Sequence, residues 1–249
     1  MPLRGRRVPP KPVSAHTGPR GPVGCGTVKT NVTPDDAAYA GQAAYTPRML
    51  SVYDLVVLGF NAHVMWRCSP RRLVALYDEH VARRHLDIGV GSGYLLDKCR
   101  FPTESPEITL MDLNPNPLEF AAKRLRRYRP KTHQANALAP FDLPIAGFDS
   151  VGLNWLLHCL PGDIASKSVV FDHCKTVLAP GGVVFGSTVL SSGVKHTPWS
   201  RLMMNKLNSK GVFSNLHDDL EHLRDQLRKR FDALDVQVAG TVALFSARS

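Results

Sequence analysis

"HLDIGVGSGYLLD", His85 to Asp97, sets three glycines into five residues between an apolar run and a helix-like segment. "RHLDIGV" reads as a buried strand and "GYLLDKCR" as the start of a short helix. Asp87, Gly89, Gly91 and Gly93 spell D-x-G-x-G-x-G where the strand ends. Glycines at that point let the backbone approach a ligand at the carboxyl edge of a sheet. Spacing and charge narrow the ligand. A P-loop is excluded because no Gly-Lys-Ser/Thr follows, and the dinucleotide fingerprint places its third glycine one residue later. An acid two residues before the first glycine repels a pyrophosphate and suits a cationic, amino-bearing ligand.

Nineteen residues after Gly93, Asp112 closes a second apolar stretch, "EITLMDL". A carboxylate at a strand end can accept both hydrogens of a ribose diol. The pattern then continues. "NPLEFAAKRLRRY" is an amphipathic helix with Leu118, Ala122 and Leu125 on one face, "KTHQANA" a weak third strand, and "FDSVGLNWLL" a fourth. "IASKSVVFDHCKTVL" is a helix and "GGVVFGSTVL" a fifth strand. Strands alternating with helices over short connections predict a parallel sheet covered on both faces. Towards the C-terminus, Leu216, Leu220, Leu223, Leu227 and Phe231 mark an amphipathic helix, within which "HDDLEH" reads as a solvated start rather than a metal cluster. "ALDVQVAG" and "TVALFSA" predict a closing hairpin joined at Gly240. Ahead of the sheet, "YTPRMLSVYDLVVLGFNAHVMW" has helical spacing, and "SPRRLVALYDEHV" opens with Ser69 as N-cap and Pro70 at the first helical position. The reading is one domain over residues 36–249, with helices at about 45–80 before the sheet and a cap insert at about 191–231.

The chain has 249 residues, 43% of them hydrophobic, and a formal net charge of +10. Residues 1–30 hold six basic side chains and no acid, which leaves about +4 for all the rest. The basic excess is a Pro-, Gly- and Arg-rich leader over 1–35, expected to be disordered, and not a groove for nucleic acid. It serves either as an anchor for an acidic partner or as a dispensable extension. It lacks the apolar core of a signal peptide, and no apolar run reaches the ~18 residues of a membrane span. Five scattered cysteines without C-x-x-C pairing fit a reducing cytoplasm better than a disulfide framework.

Glycine loop and downstream acid together resemble the class I S-adenosylmethionine-dependent methyltransferases, over roughly Tyr45 to the C-terminus. The resemblance implies an α/β Rossmann-like fold, with a seven-stranded, mostly parallel sheet and a C-terminal antiparallel hairpin. It also implies S-adenosyl-L-methionine as cofactor. "LDIGVGSG" is similar to the family's first motif, placing Asp87, Gly89, Gly91 and Gly93 beside the methionine part. "LMDLN" is similar to the second, with Asp112 on the ribose and Leu113 beside the adenine. "QANALAPFDLP" resembles the adenine-contact loop, with Asn136 in place of the usual acid and Ala137 next to it. "GFDSVGLNWLLHCLPG" resembles the fourth strand and its following loop, which brings Asn154 and Trp155 to the cofactor.

The end of the fourth strand speaks about the acceptor. DNA amino-methyltransferases carry (Asp/Asn)-Pro-Pro-(Tyr/Phe) there, but this chain has Asn154-Trp155-Leu156-Leu157. Cytosine-carbon enzymes need Pro-Cys, where this chain reads Cys159-Leu160-Pro161, and metal-dependent catechol enzymes need a carboxylate where Asn154 stands. A metal-independent enzyme for a small molecule of specialised metabolism remains, working by in-line methyl displacement. Tyr45, Tyr53, Trp66 and Trp155 are candidate apolar walls, the two tyrosines also catalytic candidates. Trp66 reads equally well as a packing residue. His158 is the candidate general base, a structural role being the other reading. In the insert, Lys195, His196, Trp199 and Arg201 suit an apolar acceptor with an anionic end, such as an isoprenoid diphosphate or a polyketide or aromatic acid. The insert reads otherwise as a cap helix with a solvated basic face. A monomer or homodimer is expected. The rival classes are a catalytically silent cofactor-binding partner protein and a nicotinamide-dependent oxidoreductase.

Overall fold

The computed structural model describes residues 28–29 and 64–248. Its strands are β1 (Val28–Lys29), β2 (Arg84–Ile88), β3 (Glu107–Asp112), β4 (Lys131–Gln134), β5 (Phe148–Asn154), β6 (Leu178–Val189), β7 (Ala233–Ala239) and β8 (Val242–Arg248). They form a single sheet in the order β1-β4-β3-β2-β5-β6-β8-β7. Strands β1 to β6 pair in parallel, and β8 runs antiparallel to both β6 and β7. The seven expected strands are therefore present, mostly parallel, with the closing hairpin turning at Gly240 (φ +62°). Val28 and Lys29, inside the stretch expected to be a disordered leader, add a two-residue pairing on the free edge of β4 opposite His133 and Gln134.

Strand order reverses beside β2, where the chain leaves β4 to return on the other side as β5. Loops there diverge and leave a crevice at the carboxyl edge. The central strands are buried on both faces, so their sequences are near-continuous apolar runs and not alternating ones. Helices α1 (Pro70–His80), α2 (Tyr94–Lys98) and α3 (Pro115–Arg124) cover one face, with Leu73, Leu96, Leu118 and Ala121 packed on Leu110, Val183 and Phe185. On the other face lie α4 (Ile164–Lys167), α5 (Val169–Val177) and α7 (Leu220–Arg228), with Phe171, Cys174, Leu223 and Leu227 over Leu86, Ile88 and Phe245. The Ser69 hydroxyl accepts from the Arg71 N–H at 3.3 Å, and Pro70 opens α1, as the sequence predicts. The earlier predicted helix, with Tyr45 and Tyr53, lies outside the described residues.

The insert departs from expectation in one instructive way. Helix α6 (Pro198–Ser209) is capped by Thr197, but the next helix does not begin at Leu216. Leu216 is exposed, and α7 starts only after Asp219, whose carboxylate accepts from the His222 N–H. "HDDLEH" is a solvated helix start only in part: His217, Glu221 and His222 are exposed, but Asp218 is not. The Asp218 side chain is wholly buried against Lys167 Nζ at 2.7 Å, and that ammonium reaches the Ser214 carbonyl as well. Asn215, also buried, donates to the Val189 carbonyl at 2.9 Å, and the Asp218 carbonyl accepts from the Ser191 N–H at 2.9 Å. A carboxylate pulled inside by a buried lysine costs the helix its first turn, and hydrophobic spacing carries no sign of it.

Removing one member of a buried ion pair strands the other charge, which costs about 3–5 kcal/mol. Lys167→Met is expected to lose that much unfolding free energy in urea titration. Adding Asp218→Leu to it should recover most of the loss. A single variant as stable as the parent would mean that the pair does not anchor the insert.

Candidate active site

At the carboxyl edge of β2 the chain turns out of Ile88 through Gly89 (φ +73°), Gly91 (φ +51°) and Gly93 (φ +71°). Three left-handed backbone positions in five residues are open to glycine at low cost and to few other residues. Space makes the same demand. A Cβ on Gly89 would stand 2.9 Å from Leu156 Cδ1, and one on Gly93 would stand 3.0 Å from Ala121 Cβ. The Gly89 N–H donates to the Met111 carbonyl at 2.8 Å, tying the loop to β3.

One cleft opens above this loop. It is lined by Asp87, Gly89, Gly91 and Gly93 from β2 and its turn, Asp112 and Leu113 from the end of β3, Asn136 and Ala137 after β4, and Asn154 and Trp155 after β5. All ten residues that the sequence assigned to the cofactor thus meet in one place, from four separate strand ends. Asp112 accepts the Asn114 N–H at 3.0 Å, and burial still pushes its carboxyl up to about 7. Asn136 Oδ1 accepts from the Leu138 N–H at 2.9 Å, closing a turn that presents the amide. Asn154 Oδ1 accepts from the Ser187 hydroxyl at 3.0 Å, while its Nδ2 is buried without a hydrogen-bond partner. Trp155 holds a left-handed backbone at φ +57°, and its indole Nε1 is likewise buried and unpaired. A non-glycine residue at positive φ is uncommon and collects at functional sites.

These observations fit a nucleoside carrying an amino-acid tail. The glycines leave a cradle without side chains, Asp112 offers a carboxylate able to accept a diol, and two buried donors at Asn154 and Trp155 await an acceptor. Each unpaired buried donor costs about 1–3 kcal/mol until something fills its place.

The other candidates fall elsewhere. His158 is 1% exposed and does not line the cleft. Its ring packs 4.4 Å from that of Phe213, its Nδ1 accepts the Val189 N–H at 3.3 Å, and its carbonyl accepts from Ser214. Burial and nearby Lys167 push its pKa down to about 3, so it stays neutral and binds protons poorly. The structure places it as a joint between β6 and the cap, not as a base facing a substrate. Trp66 is 1% exposed against Phe213, its carbonyl accepting from the Thr241 N–H, and so packs in the core instead of walling the cleft. Lys195, Trp199 and Arg201 are exposed on the cap, and His196 is half-buried beside Ser200. None of these four lines the cleft. Conversely, sequence reasoning passed over Tyr77, Tyr94, Leu156 and Cys159, which do line it. Helical spacing from Leu73 marks Tyr77 as inward-facing but gives no hint of a polar partner.

Comparison with known proteins adds four findings. A family model described as a methyltransferase domain matches residues 86–184. Demethylluteothin O-methyltransferase of Streptomyces thioluteus is 46% identical over 213 residues, covering 86% of this chain and 93% of that protein. The physcion biosynthesis cluster O-methyltransferase of Aspergillus chevalieri is 39% identical, covering 83% and 94% respectively. Among solved structures, the DhpI–SAH complex superposes with a TM-score of 0.60 at 15% identity over 87% of this chain and 98% of its own, a likeness of fold.

His158 supplies a test of its assigned place. His158→Gln is expected to lower unfolding free energy by about 1–3 kcal/mol through its buried hydrogen bonds, and to leave the pH dependence of turnover unchanged. A pH–rate limb that vanished in the variant would return His158 to the reaction.

Proposed function

The chain belongs to the class I S-adenosylmethionine-dependent methyltransferases, and from that premise we propose that it methylates a hydroxyl oxygen of a small polyketide or aromatic acceptor in secondary metabolism. The observation that carries the cofactor half is the convergence of ten residues from four strand ends on one glycine-floored cleft. The acceptor half is supported by relatives named for O-methylation that align over most of both chains. Of the two acceptor classes raised by the sequence, the hydroxyl-bearing one has that support and the isoprenoid diphosphate has none.

In this reading S-adenosylmethionine supplies a methyl group already activated on a sulfonium. The residues of this chain hold and orient. Asp112 accepts both ribose hydroxyls, Leu113 and Ala137 flank the adenine, and Asn136 meets its edge. The N–H-bearing turn at Gly89–Gly93 takes the amino-acid tail, whose ammonium faces Asp87. Asn154 and Trp155 close the cleft beside the tail and exclude water, so that acceptor and methyl are held in line; such positioning is worth effective molarities on the order of 10⁵ M or more. Trp155 can also set a ring face against positive charge. Tyr45 and Tyr53 are proposed as walls around the acceptor, and Lys195, His196, Trp199 and Arg201 as contacts for its outer end.

Calorimetric titration with S-adenosylhomocysteine, with NADH as control, tests the cofactor half; micromolar binding of the former alone is expected, and preference for NADH would overturn it. Incubation with S-adenosylmethionine and a panel of phenols and enols, read by mass, tests the acceptor half. Cofactor binding with no methylated product from the panel would favour the silent partner protein.

The Asp112 carboxyl adds a pH signature. A charged carboxylate accepts from both hydroxyls more strongly than the protonated acid, one of whose oxygens carries a hydrogen, so binding is expected to tighten as pH rises through about 7 and to weaken below it by less than about tenfold per unit. Asp112→Asn should weaken binding by roughly 10- to 100-fold and flatten that dependence. An unchanged pH profile in the variant would remove Asp112 from the ribose.

A further inference from the structure

Beneath the glycine loop, Asp87 is backed by buried polar groups to which the reaction gives no part: Tyr77, His85 and Ser150. Asp87 and His85 sit two residues apart on β2 and so share one face of the sheet. That face is otherwise apolar, with Phe185 stacked 5.8 Å from the His85 ring. The Tyr77 hydroxyl, from α1, donates to Asp87 Oδ1 at 2.8 Å. His85 Nε2 stands 3.6 Å from the same oxygen, beyond hydrogen-bond reach, and is buried without a hydrogen-bond partner. His85 Nδ1 is 2.8 Å from the Ser150 hydroxyl, which itself accepts the Ala82 N–H at 2.9 Å. A hydroxyl that has accepted an N–H still has its own hydrogen to give, which suits His85 Nδ1 as acceptor with the ring proton on Nε2, facing Asp87. The other tautomer would aim a lone pair at a carboxylate.

The surroundings are shaped to hold this arrangement. Gly152, next along β5, leaves its space open: a Cβ there would lie 2.6 Å from Asp87 Oδ1 and 3.2 Å from His85 Cε1. Tyr77, His85 and Asp87 are each at most 4% exposed, and Asp87 and Tyr77 both reach the cleft wall. Burial and the adjacent carboxylate hold the Tyr77 phenol well above its usual range, which keeps it an O–H donor.

We propose that Tyr77, by its hydrogen bond to Asp87 Oδ1, and His85, packed 3.6 Å from the same oxygen, are positioning residues that aim Oδ2 at the ammonium of the methyl donor's amino-acid tail. This rests on the reading that the donor's tail lies over Asp87. The Tyr77 hydrogen bond, with the imidazole packed against the same oxygen, limits the rotation of the carboxyl plane, and a restrained acceptor loses less freedom when the ligand arrives. The device selects for the charged tail and is indifferent to the nucleoside, which Asp112 holds from another strand.

Two ligands separate these parts. S-adenosylhomocysteine carries the ammonium, and 5′-methylthioadenosine keeps the nucleoside and sulfur without it. Wild-type protein is expected to prefer the former. Tyr77→Phe should weaken S-adenosylhomocysteine binding about tenfold and leave methylthioadenosine unchanged. Equal loss of both ligands in the variant would mark Tyr77 as merely structural and overturn the proposal, as would no change in either. Wild-type protein that binds neither ligand, or both equally, defeats the underlying reading of the tail and the proposal with it. Should Tyr77→Phe not fold, His85 offers a second pair. His85→Leu is expected to lose S-adenosylhomocysteine selectively, and His85→Gln, which keeps a donor towards Asp87, to retain it. Equal loss of both ligands in His85→Leu overturns the assignment.

Discussion

The hydrogen bond from the Gly89 N–H to the Met111 carbonyl is the last rung between β2 and β3, made by a residue already turned to φ +73°. Everything in the cleft hangs on that geometry. One residue before it, the backbone must stay extended to keep β2 paired on both sides; at Gly89 it must leave the sheet without closing over the edge. The next turns at Gly91 and Gly93 repeat the demand before α2 begins. Because β3 ends one residue past Met111, the same rung sets Asp112 beside the loop. Asp87 and Asp112, the two acids of the cleft, thus hold their separation through the backbone and not through contact with each other.

Opposite this loop the cap is pinned by a second buried system, the pairing of Lys167 with Asp218 and the bonds of Asn215 to Val189 and Asn208. His158 lies between the two systems, receiving an N–H from β6 and giving its carbonyl to Ser214. The cost of burying these polar groups is offset only while all partners are present. The insert therefore has one seating on the sheet, and its exposed α6 face, with Trp199 and Leu202, is carried at a set place above it. Polarity buried for position, more than for net stability, recurs in the Tyr77–Asp87–His85 chain.

Legibility in the sequence followed the physical source of each feature. Strand ends and glycine turns were legible because steric limits on the backbone act locally: D-x-G-x-G-x-G admits few conformations, and Ser69-Pro70 starts a helix by its own chemistry. Asp87, its glycines and Asp112 were legible for the same reason, and Leu113, Asn136, Ala137, Asn154 and Trp155 through the resemblance to the methyltransferase family, whose motifs stand at strand ends. Side-chain destinations were less so. His158 and Trp66 have the chemistry of a base and a wall, but their burial against Phe213 depends on a loop some fifty residues or more away in sequence. Leu216 fits the helical spacing and yet lies outside α7, because Asp218 answers to Lys167 instead of to its own helix.

By itself, then, the sequence determined the alternating strands and helices, the closing hairpin and the glycine turn, because backbone sterics and hydrophobic period are written in neighbouring residues, and its likeness to a known family supplied the other residues of the cleft. Only the tertiary structure decided which polar side chains work together. Tyr77 meets Asp87 across an α1–β2 packing, His85 gains its tautomer from Ser150 on another strand, and Gly152 matters for the room it leaves. Hydrogen bonds between distant elements depend on ångström placement, and no local pattern of residues encodes that.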